Sequence, residues 1–332
     1  MTNLAPLNAA LPSGLSAREQ TDADLPAAVE LQNRHAPETE QETAEGLRRW
    51  QALSPTSVHL ELVVAGPDGA IVAVAGVSDG GIFRSADGTH RAGVLVDRAW
   101  RGRGIGAALL PVLEERALAT GAPAITTRVR GDEPEAMRFA TARGYLEFHR
   151  RYNAYLDLAA FDSSRFDDPD AIARRAGVEL VTLEDAWTGA ADTEALLREV
   201  HDLNSGLLQD VPRPDAFVAP PLEATRTMLG SPTLDRRATL LARAAGQVVG
   251  LTLSDVNEVG LGYTFMTGVE SGRRGKGLAL ALKLRAIDAL RRRGVRWFGT
   301  TNDEANAPMR AVNRRLGYVT APAWIQVRKE LR

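Results

Sequence analysis

The sequence predicts an α/β (α+β) protein of two tandem domains, each with a mixed, mostly antiparallel central sheet flanked by helices. Three observations predict this class. Apolar residues at helical spacing alternate with short β-rich runs along the chain. One offset of 173 residues carries glycines and apolar residues of the first half onto identical residues of the second. The 332 residues also exceed the roughly 250–300 beyond which a single core seldom grows.

The repeat runs without a gap through both halves. Adding 173 carries Val96 to Val269, Arg101 to Arg274, Gly102 to Gly275, Gly104 to Gly277, Gly121 to Gly294, Gly144 to Gly317 and Tyr145 to Tyr318. Because the matched glycines punctuate the same elements, the pattern indicates a duplicated domain. It predicts an N-terminal domain over 1–158, a linker over 159–177 and a C-terminal domain over 178–332.

The element order of the first half follows from periodicity and turn chemistry. Residues 1–14 contain two prolines and a glycine, and they are expected to form a loosely held arm. Segments 22–36 and 38–53 predict helices, and 58–65 and 70–77 predict a hairpin across a Gly-Pro-Asp-Gly turn. The remaining elements are a strand ending at 96, a helix to 121, a strand over 124–129, a helix over 133–143 and a closing strand over 145–158.

The second half repeats this order. A strand over 179–183 and helices over 192–208 and 222–229 precede a hairpin of 237–243 and 247–253. There follow a strand over 261–269, a helix to 293, a strand over 295–300, a helix over 305–316 and a closing strand over 318–327.

Composition excludes several classes of function. The chain has no cysteine, which excludes disulfides and thiolate chemistry, and its five histidines lack metal-ligand spacing, so no metal is expected. A net charge of −2 gives no general attraction to nucleic acid or to an anionic membrane. No long apolar run and no leader pattern occur. We expect a cytoplasmic protein, monomer or homodimer, with no nucleic-acid or membrane partner.

Each half contains a turn suited to binding phosphate. The first glycine turn is Arg101-Gly102-Arg103-Gly104-Ile105-Gly106, and the second is Arg274-Gly275-Lys276-Gly277-Leu278-Ala279. Each stands between a predicted strand and a predicted helix. Glycine lets the backbone approach a ligand closely, and the unpaired N–H groups of a helix's first turn attract anions. The sequence therefore predicts two anion-binding turns.

Two other interpretations of these turns exist. Arg-Gly runs also occur as simple solvated connections, but two copies at matched positions argue against this. Residues 102–107 also fit the Gly-x-Gly-x-x-Gly/Ala dinucleotide fingerprint. That fingerprint requires an acidic residue about twenty positions later, where the strand ending at Arg128 and Arg130 supplies none, and the second turn has Leu280 at the third small position.

The two turns resemble the Arg/Gln-x-x-Gly-x-Gly/Ala signature of the GNAT superfamily of acyl-CoA-dependent N-acyltransferases, and Gly144-Tyr145 and Gly317-Tyr318 resemble its closing Gly-aromatic element. The resemblance implies acetyl-CoA as the cofactor, with its pyrophosphate on the turn amides. It also implies that main-chain N–H groups of the preceding strand polarise the thioester carbonyl. Those strand residues are Val94, Leu95 and Val96 in the first copy and Thr267, Gly268 and Val269 in the second.

The resemblance favours the C-terminal copy as the catalytic one. Asn302 and Asn306 resemble the asparagines that border the cofactor in the family, whereas the first copy has Val129 and Glu133 at those places. The family tyrosine four residues before the Gly-aromatic pair is absent. Ala140 and Asn313 replace it, so the proton donor to the thiolate is left open, with water as one candidate.

The sequence offers candidates for the catalytic base and for the acceptor site, and each candidate could instead have a purely structural role. Glu258, and Asp255 beside it, are candidates for the base that deprotonates the amine, although both also suit an ordinary turn. In the segment 207–214, Asp210 is a candidate for holding an ammonium group, or is simply a turn-capping residue.

These residues predict an N-acetyltransferase that transfers acetyl from acetyl-CoA to a primary amine of a small molecule by direct attack. The alternatives are a catalytically silent CoA-binding or scaffold protein and a protein or peptide N-acetyltransferase.

Overall fold

The computed structural model describes residues 2–53, 59–81, 84–212 and 218–331. The chain divides into two compact units. Unit 1 comprises residues 1–149, 214–218 and 324–332, and unit 2 comprises 150–213 and 219–323. Each has a mostly antiparallel sheet flanked by helices, which confirms the predicted fold class.

Unit 1 is built around five consecutive strands of its sheet. Its elements are α1 (Ala5–Ala10), β1 (Ser16–Glu19), α2 (Leu25–His35), α3 (Ala44–Leu53), β2 (His59–Ala65), β3 (Ile71–Ser78), β4 (His90–Val96), α4 (Ile105–Ala119), β5 (Ala124–Arg130) and α5 (Pro134–Thr141). The strands are ordered β1-β2-β3-β4-β5, and only β4 and β5 run parallel. Val58, which the sequence placed in the first hairpin, lies outside the described residues.

The first residues of unit 1 are not a loose arm. Residues 5–10 form α1, whose Leu7 is 3% exposed. The amide of Asn8 donates to Ala17 O at 3.0 Å, and Ala17 N donates back to the Asn8 amide oxygen at 2.7 Å. The prediction for 1–14 was therefore wrong. Proline and glycine suggested mobility, but the apolar Leu7 and Leu11 become buried in tertiary contacts that local composition does not reveal.

Unit 2 repeats the architecture. After β6 (Leu146–Asp157), its elements are α6 (Pro169–Arg175), β7 (Glu179–Thr182), α7 (Leu183–Thr188), α8 (Thr193–Gln209), α9 (Leu222–Leu229), β8 (Leu240–Ala244), β9 (Gln247–Val256), β10 (Gly262–Val269), α10 (Leu278–Arg292), β11 (Trp297–Asp303), α11 (Ala307–Leu316) and β12 (Val319–Thr320). The sheet order is β6-β11-β10-β9-β8-β7. One face of this sheet packs on α10 and α11 around Leu282 and Phe298, and the other packs on α8 and α9 around Leu197 and Leu251.

Each copy of the repeat ends in a strand that joins the sheet of the other unit. The last strand, β13 (Trp324–Glu330), pairs antiparallel with β5 in unit 1, from Trp324 opposite Arg130 to Glu330 opposite Ala124. The strand that ends the first copy, β6, pairs instead with β11 in unit 2, from Trp297 opposite Asp157 to Asp303 opposite Arg151. The predicted split had each half closing with its own strand. Both strands carry the same local pattern, so the sequence does not specify which sheet each one joins.

Candidate functional site

In unit 2, the parallel strands β10 and β11 separate before β10 reaches the second glycine turn. Their pairing runs from Gly262 opposite Phe298 to Thr264 opposite Thr300 and then stops, although β10 continues to Val269 and β11 to Asp303. A bulge in β10 between Thr264 and Met266 marks the same point. Bulges bend the strand that carries them. The result is a wedge-shaped gap between the two strands, with backbone groups of β10 along one side.

The backbone groups that face this gap follow from the ladder on the other side of β10. Glu270 N–H donates to Val249 O at 2.9 Å, and pairing alternates along an antiparallel ladder. Gly268, opposite Leu251, therefore points its N–H toward β9. The N–H groups of Thr267 and Val269 point toward the gap. Of the three predicted strand residues, Gly268 lies in the ladder, and Thr267 and Val269 direct their amides toward the gap.

The second glycine turn is held by its two left-handed glycines. Gly275 has φ +78° and Gly277 has φ +79°, values that a residue with a side chain adopts only with strain. The first α10 amide to bond back into the helix is that of Ala281, to Gly277 O at 3.0 Å. The N–H groups of Leu278 to Leu280 precede it and are directed out of the helix start. The turn thus has the geometry of an anion site.

The arginine of each turn is fixed by the strand before it. Arg274 Nε donates to Val269 O at 3.0 Å, and Arg101 Nε donates to Val96 O at 3.1 Å. The repeat therefore preserves a hydrogen bond as well as the residues. Arg274 also forms an ion pair with Asp210, at the C-terminal end of α8. This contact places Asp210 beside the second glycine turn, where its carboxylate already has a cationic partner.

Unit 1 contains the same strand separation with different charges. The pairing of β4 and β5 stops at Arg91 opposite Thr126. Asp97 N–H donates to Val72 O at 2.9 Å, so by the same alternation Val94 and Val96 face the gap, whereas Leu95 lies in the ladder.

The first glycine turn has a carboxylate beside its arginine. Glu133 Oε2 lies 3.6 Å from Arg101 Nη1, and Glu133 Oε1 lies 3.8 Å from Arg98 Nη2. Arg103 donates to Ala99 O at 3.2 Å and lies over the Trp100 ring, 4.7 Å from its centroid. The two turns therefore share a backbone, and each has a carboxylate beside its arginine: Glu133 in the first turn and Asp210 in the second.

The predicted asparagines of unit 2 occupy three different settings. Asn306 caps α11, its side-chain oxygen accepting from Met309 N at 3.3 Å. Asn302 lies in the separated part of β11 and is buried. Asn313 is 3% exposed, and neither atom of its amide has a hydrogen-bond partner among the residues that the structure describes.

The structure does not bring the predicted base to the second glycine turn. Glu258 lies in the exposed turn between β9 and β10. That turn is at the opposite end of β10 from Val269, about 23 Å away at 3.3 Å per residue. Asp255 lies in β9 opposite Tyr263. The roles of Glu258 and Asp210 remain predictions.

Sequence reasoning missed two groups in unit 2. Lys283 of α10 is buried, with its Nζ 4.8 Å from the ring centroid of Tyr318 and 5.8 Å from that of Phe298. A chain of hydrogen bonds lies on the other face of the sheet. The Tyr263 hydroxyl is hydrogen-bonded to the Thr301 hydroxyl, which donates to Asn153 Oδ1 at 2.6 Å. The sequence did signal Lys283, because the offset of 173 aligns it with the apolar Leu110.

Two absences concern the described ranges only. In the helices that the structure describes, no segment has the length and apolar character to cross a membrane. Over the same residues, no group of three or more His, Asp or Glu side chains is placed to hold a metal ion.

Comparison with known proteins gives one family. The model of the acetyltransferase (GNAT) family matches twice, over residues 25–145 and 207–318. A mycothiol acetyltransferase of Clavibacter michiganensis is 31% identical over 274 residues, covering 81% of this chain and 79% of that protein. A mycothiol acetyltransferase of Amycolatopsis mediterranei is 30% identical, covering 78% of this chain and 80% of that protein.

Solved structures share the two-unit fold. A GCN5-related N-acetyltransferase from Sphaerobacter thermophilus superposes with a TM-score of 0.73 at 24% identity, covering 97% of both chains. A tandem GNAT protein from the clavulanic acid biosynthesis pathway gives 0.73 at 22% identity, covering 96% of this chain and 99% of that one. These likenesses concern the fold.

Proposed function

Because the chain belongs to the GNAT family of acetyltransferases, we propose that it transfers the acetyl group of acetyl-CoA to a primary amine of a small molecule, and that unit 2 is the catalytic unit. One observation carries the proposal: the gap between β10 and β11 opens beside a turn of left-handed glycines at the start of α10. This arrangement offers an anion site and a channel for an extended arm in one place.

The residues of the second turn fit the pyrophosphate of acetyl-CoA. A Cβ added at Gly275 would meet no atom within 4 Å, so the backbone there is open to a ligand. The amides of Leu278, Ala279 and Leu280 lie at the positive end of α10, where an anion gains about 0.3–1 kcal/mol from the helix dipole. Lys276 adds a positive charge. Asn302, in the separated part of β11, and Asn306, at the start of α11, are the residues we propose to border the cofactor.

The gap also suits the thioester. The N–H groups of Thr267 and Val269 face it, and such amides stabilise negative charge on a carbonyl oxygen as an amine attacks. In the reaction, a bond forms between the amine nitrogen and the acetyl carbon, and the carbon–sulfur bond breaks. The amine loses one proton to a base or to solvent, and the thiolate gains one. Glu258, the predicted base, lies at the far end of β10, so the proton would have to reach it through water. Asn313 is a neutral amide, which can orient a proton donor by hydrogen bonding but cannot itself supply the proton.

The names of the relatives suggest which amine to test first. They are called mycothiol acetyltransferases, so the unacetylated amine of mycothiol is our first candidate acceptor. Asp210 lies at the end of α8, on the same side of the sheet as Gly268, whose added Cβ would meet Leu207 at 2.7 Å. This contact places α8 directly against the strand that borders the gap, and it supports an acceptor site on that side. Arg213 and Pro214, the end of the predicted acceptor segment, lie outside the described residues.

Thiol release from acetyl-CoA across a panel of small amines and peptides tests the proposal. We expect turnover with small amines that carry a primary amino group. Turnover with peptides alone would favour a protein acetyltransferase, and tight CoA binding with no turnover would favour a silent protein.

A matched pair of substitutions tests which unit is catalytic. Gly275 and Gly102 have φ of +78° and +75°, and neither has an atom within 4 Å of an added Cβ. Valine therefore imposes a similar backbone strain at each, about 1–2 kcal/mol. We expect G275V to lower kcat/KM for acetyl-CoA at least tenfold and G102V to leave it within about twofold. Equal losses in both variants would contradict the assignment to unit 2.

A further inference from the structure

Unit 2 contains a lysine that its fold does not require. Lys283 is 1% exposed, and its Nζ has no hydrogen-bond partner in the part of the chain that the structure describes. Two more polar groups nearby share this condition: the hydroxyl of Tyr318, 5% exposed, and the amide of Asn313, 3% exposed. Buried polar groups are nearly always hydrogen-bonded, so three unsatisfied ones in one core require an explanation.

The three residues are neighbours in the fold. Lys283 Nζ lies 4.8 Å from the centroid of the Tyr318 ring. Tyr318 N donates to Asn313 O at 3.0 Å, so the backbones of these two residues are in contact. The ammonium, the phenol and the amide each lack a hydrogen-bond partner among the described residues, and a water molecule, which takes two to four polar partners, would satisfy groups of this kind.

Unit 1 shows that the fold tolerates apolar residues at these places. The offset of 173 aligns Lys283 with Leu110 and Asn313 with Ala140, and both of these are buried. Tyr318 is aligned with Tyr145, whose hydroxyl donates to Glu114 at 3.0 Å. In unit 1 the nearby ammonium of Lys329 donates to the same Glu114 at 2.6 Å, so the groups around Tyr145 are paired, whereas those around Tyr318 have no hydrogen-bond partner among the described residues. Unsatisfied polar groups that break the packing rules are expected where function requires them.

Lys283 lies near β11, two residues before the point where β10 and β11 separate. Phe298, whose ring is 5.8 Å from Lys283 Nζ, is opposite Gly262 in the paired part of the strands. Thr300, two residues later on the same face, is in the last pair. Side chains two residues apart are about 6.6 Å apart along a strand. Lys283 therefore lies on the sheet face that carries α10 and α11, beside a residue that is one step along β11 from the last pair.

From this placement we propose that Lys283 is the source of the proton that the departing CoA thiolate takes up, passed through a water molecule held by the Asn313 amide. The inference rests on the proposed function. The ammonium group gives a proton to the water, the water gives one to the sulfur, and Lys283 is left neutral. Solvent, which received the proton of the attacking amine, restores the charge. Lys283 thereby supplies the proton donor that the replaced family tyrosine leaves open.

The electrostatic setting supports this role. Burial lowers the pKa of Lys283 to about 7, close to the value at which a group donates protons efficiently at neutral pH. The phenol of Tyr318, whose pKa is raised by burial, is the titratable group in contact with it. On α6, which packs against α10, Asp170 is paired with Arg285, 3.6 Å away. No described carboxylate forms a salt bridge with Lys283 that would keep its charge bound.

The test compares two acetyl donors in the full-length chain. We would measure kcat with acetyl-CoA and with the acetyl thioester of 4-nitrothiophenol, whose thiolate leaves without needing a proton. K283L and N313A introduce the residue types that unit 1 has at these places, so both variants should fold. We expect each to lose about 10- to 100-fold with acetyl-CoA and to stay within about twofold with the aryl thioester. The double variant should lose no more than the single ones.

The pH profile gives a second measurement. In the wild type, kcat with acetyl-CoA should decrease above about pH 7 as Lys283 loses its proton, and this alkaline decrease should be absent from K283L. The matched control is K329M, which removes the ammonium 5.7 Å from the Tyr145 ring of unit 1 and should leave both the profile and the donor preference unchanged.

Three outcomes overturn the inference. In the first, K283L keeps the wild-type kcat with acetyl-CoA. In the second, it loses equally with both donors, which indicates a structural role. In the third, NMR titration of the ligand-free protein with 13C-labelled lysine shows Lys283 charged up to pH 10. A wild type that acetylates no amine would defeat the proposed function instead, and the NMR titration would still decide the protonation of Lys283.

Discussion

Replacing Lys283 by leucine should stabilise the protein, by an amount that depends on pH in a calculable way. The free lysine has a pKa near 10.5, and burial lowers the pKa of Lys283 to about 7. Between these two values the unfolded chain binds a proton that the folded chain does not. The free energy of unfolding therefore rises with pH across this window. Lys283 destabilises the fold fully below about pH 7 and not at all above about pH 10.5.

The magnitude follows from the width of that window. The difference between a pKa of about 7 and one near 10.5 gives an upper limit of about 5 kcal/mol at pH 6. At pH 9, which is about 1.5 pH units below the pKa of free lysine, the destabilisation by Lys283 should still be about 2 kcal/mol. Leu110 fills the matching position of unit 1, so the leucine side chain should fit with little strain.

Urea unfolding of the wild type and K283L at several pH values between 6 and 9.5 measures this difference. All other groups titrate equally in both proteins, so the change in the difference with pH isolates Lys283. We expect K283L to be more stable at pH 6 and its advantage to shrink as pH rises. A gain that is independent of pH would show that leucine packs better while Lys283 keeps its ordinary pKa. A loss of stability at pH 6 would refute the reasoning altogether.

Three further predictions concern unit 1. L7A should lower the free energy of unfolding by about 2–4 kcal/mol, because Leu7 is buried. The control L4A should lower it less, and thermal denaturation measures both. Equal effects would contradict the packing of α1. E133Q should raise the affinity of the first glycine turn for CoA about fivefold, or about 1 kcal/mol, which isothermal titration calorimetry measures. An unchanged affinity would show that Glu133 does not repel phosphate. E114L should cost about 1–3 kcal/mol by leaving the hydroxyl of Tyr145 without its acceptor; unchanged stability would mean that water replaces Glu114.

Local signals predicted most of the elements and both glycine turns. The left-handed φ of Gly104 and Gly277 follows from what only glycine does easily at the start of a helix after an arginine turn. The hairpin between β8 and β9 was also predictable from its turn residues. Ala245 and Gly246 have φ of +49° and +85°. Information of this kind lies within a few residues, and the sequence displays it directly.

The partners of the closing strands could not be predicted. Strand pairing is decided by contacts distant in sequence, and β6 and β13 have the same place in their repeats. The direction of the β10 amides was also hidden, because a single residue of register decides whether Gly268 or Val269 faces the gap. The position of Asp210 against Arg274 depends likewise on how α8 ends beside a turn 64 residues later.

In a duplicated chain, each copy can be compared with the other at matched positions. The differences between the two copies are the best guide to function here. Where both copies keep a residue, as at Arg101 and Arg274, the structure gives both the same hydrogen bond, to Val96 and to Val269. Such matches report what the fold needs. Where a buried position is apolar in one copy and charged in the other, the fold does not need the charge. Lys283 is such a position, and the cost of burying it falls entirely on unit 2, near the gap where the acetyl transfer is proposed to occur.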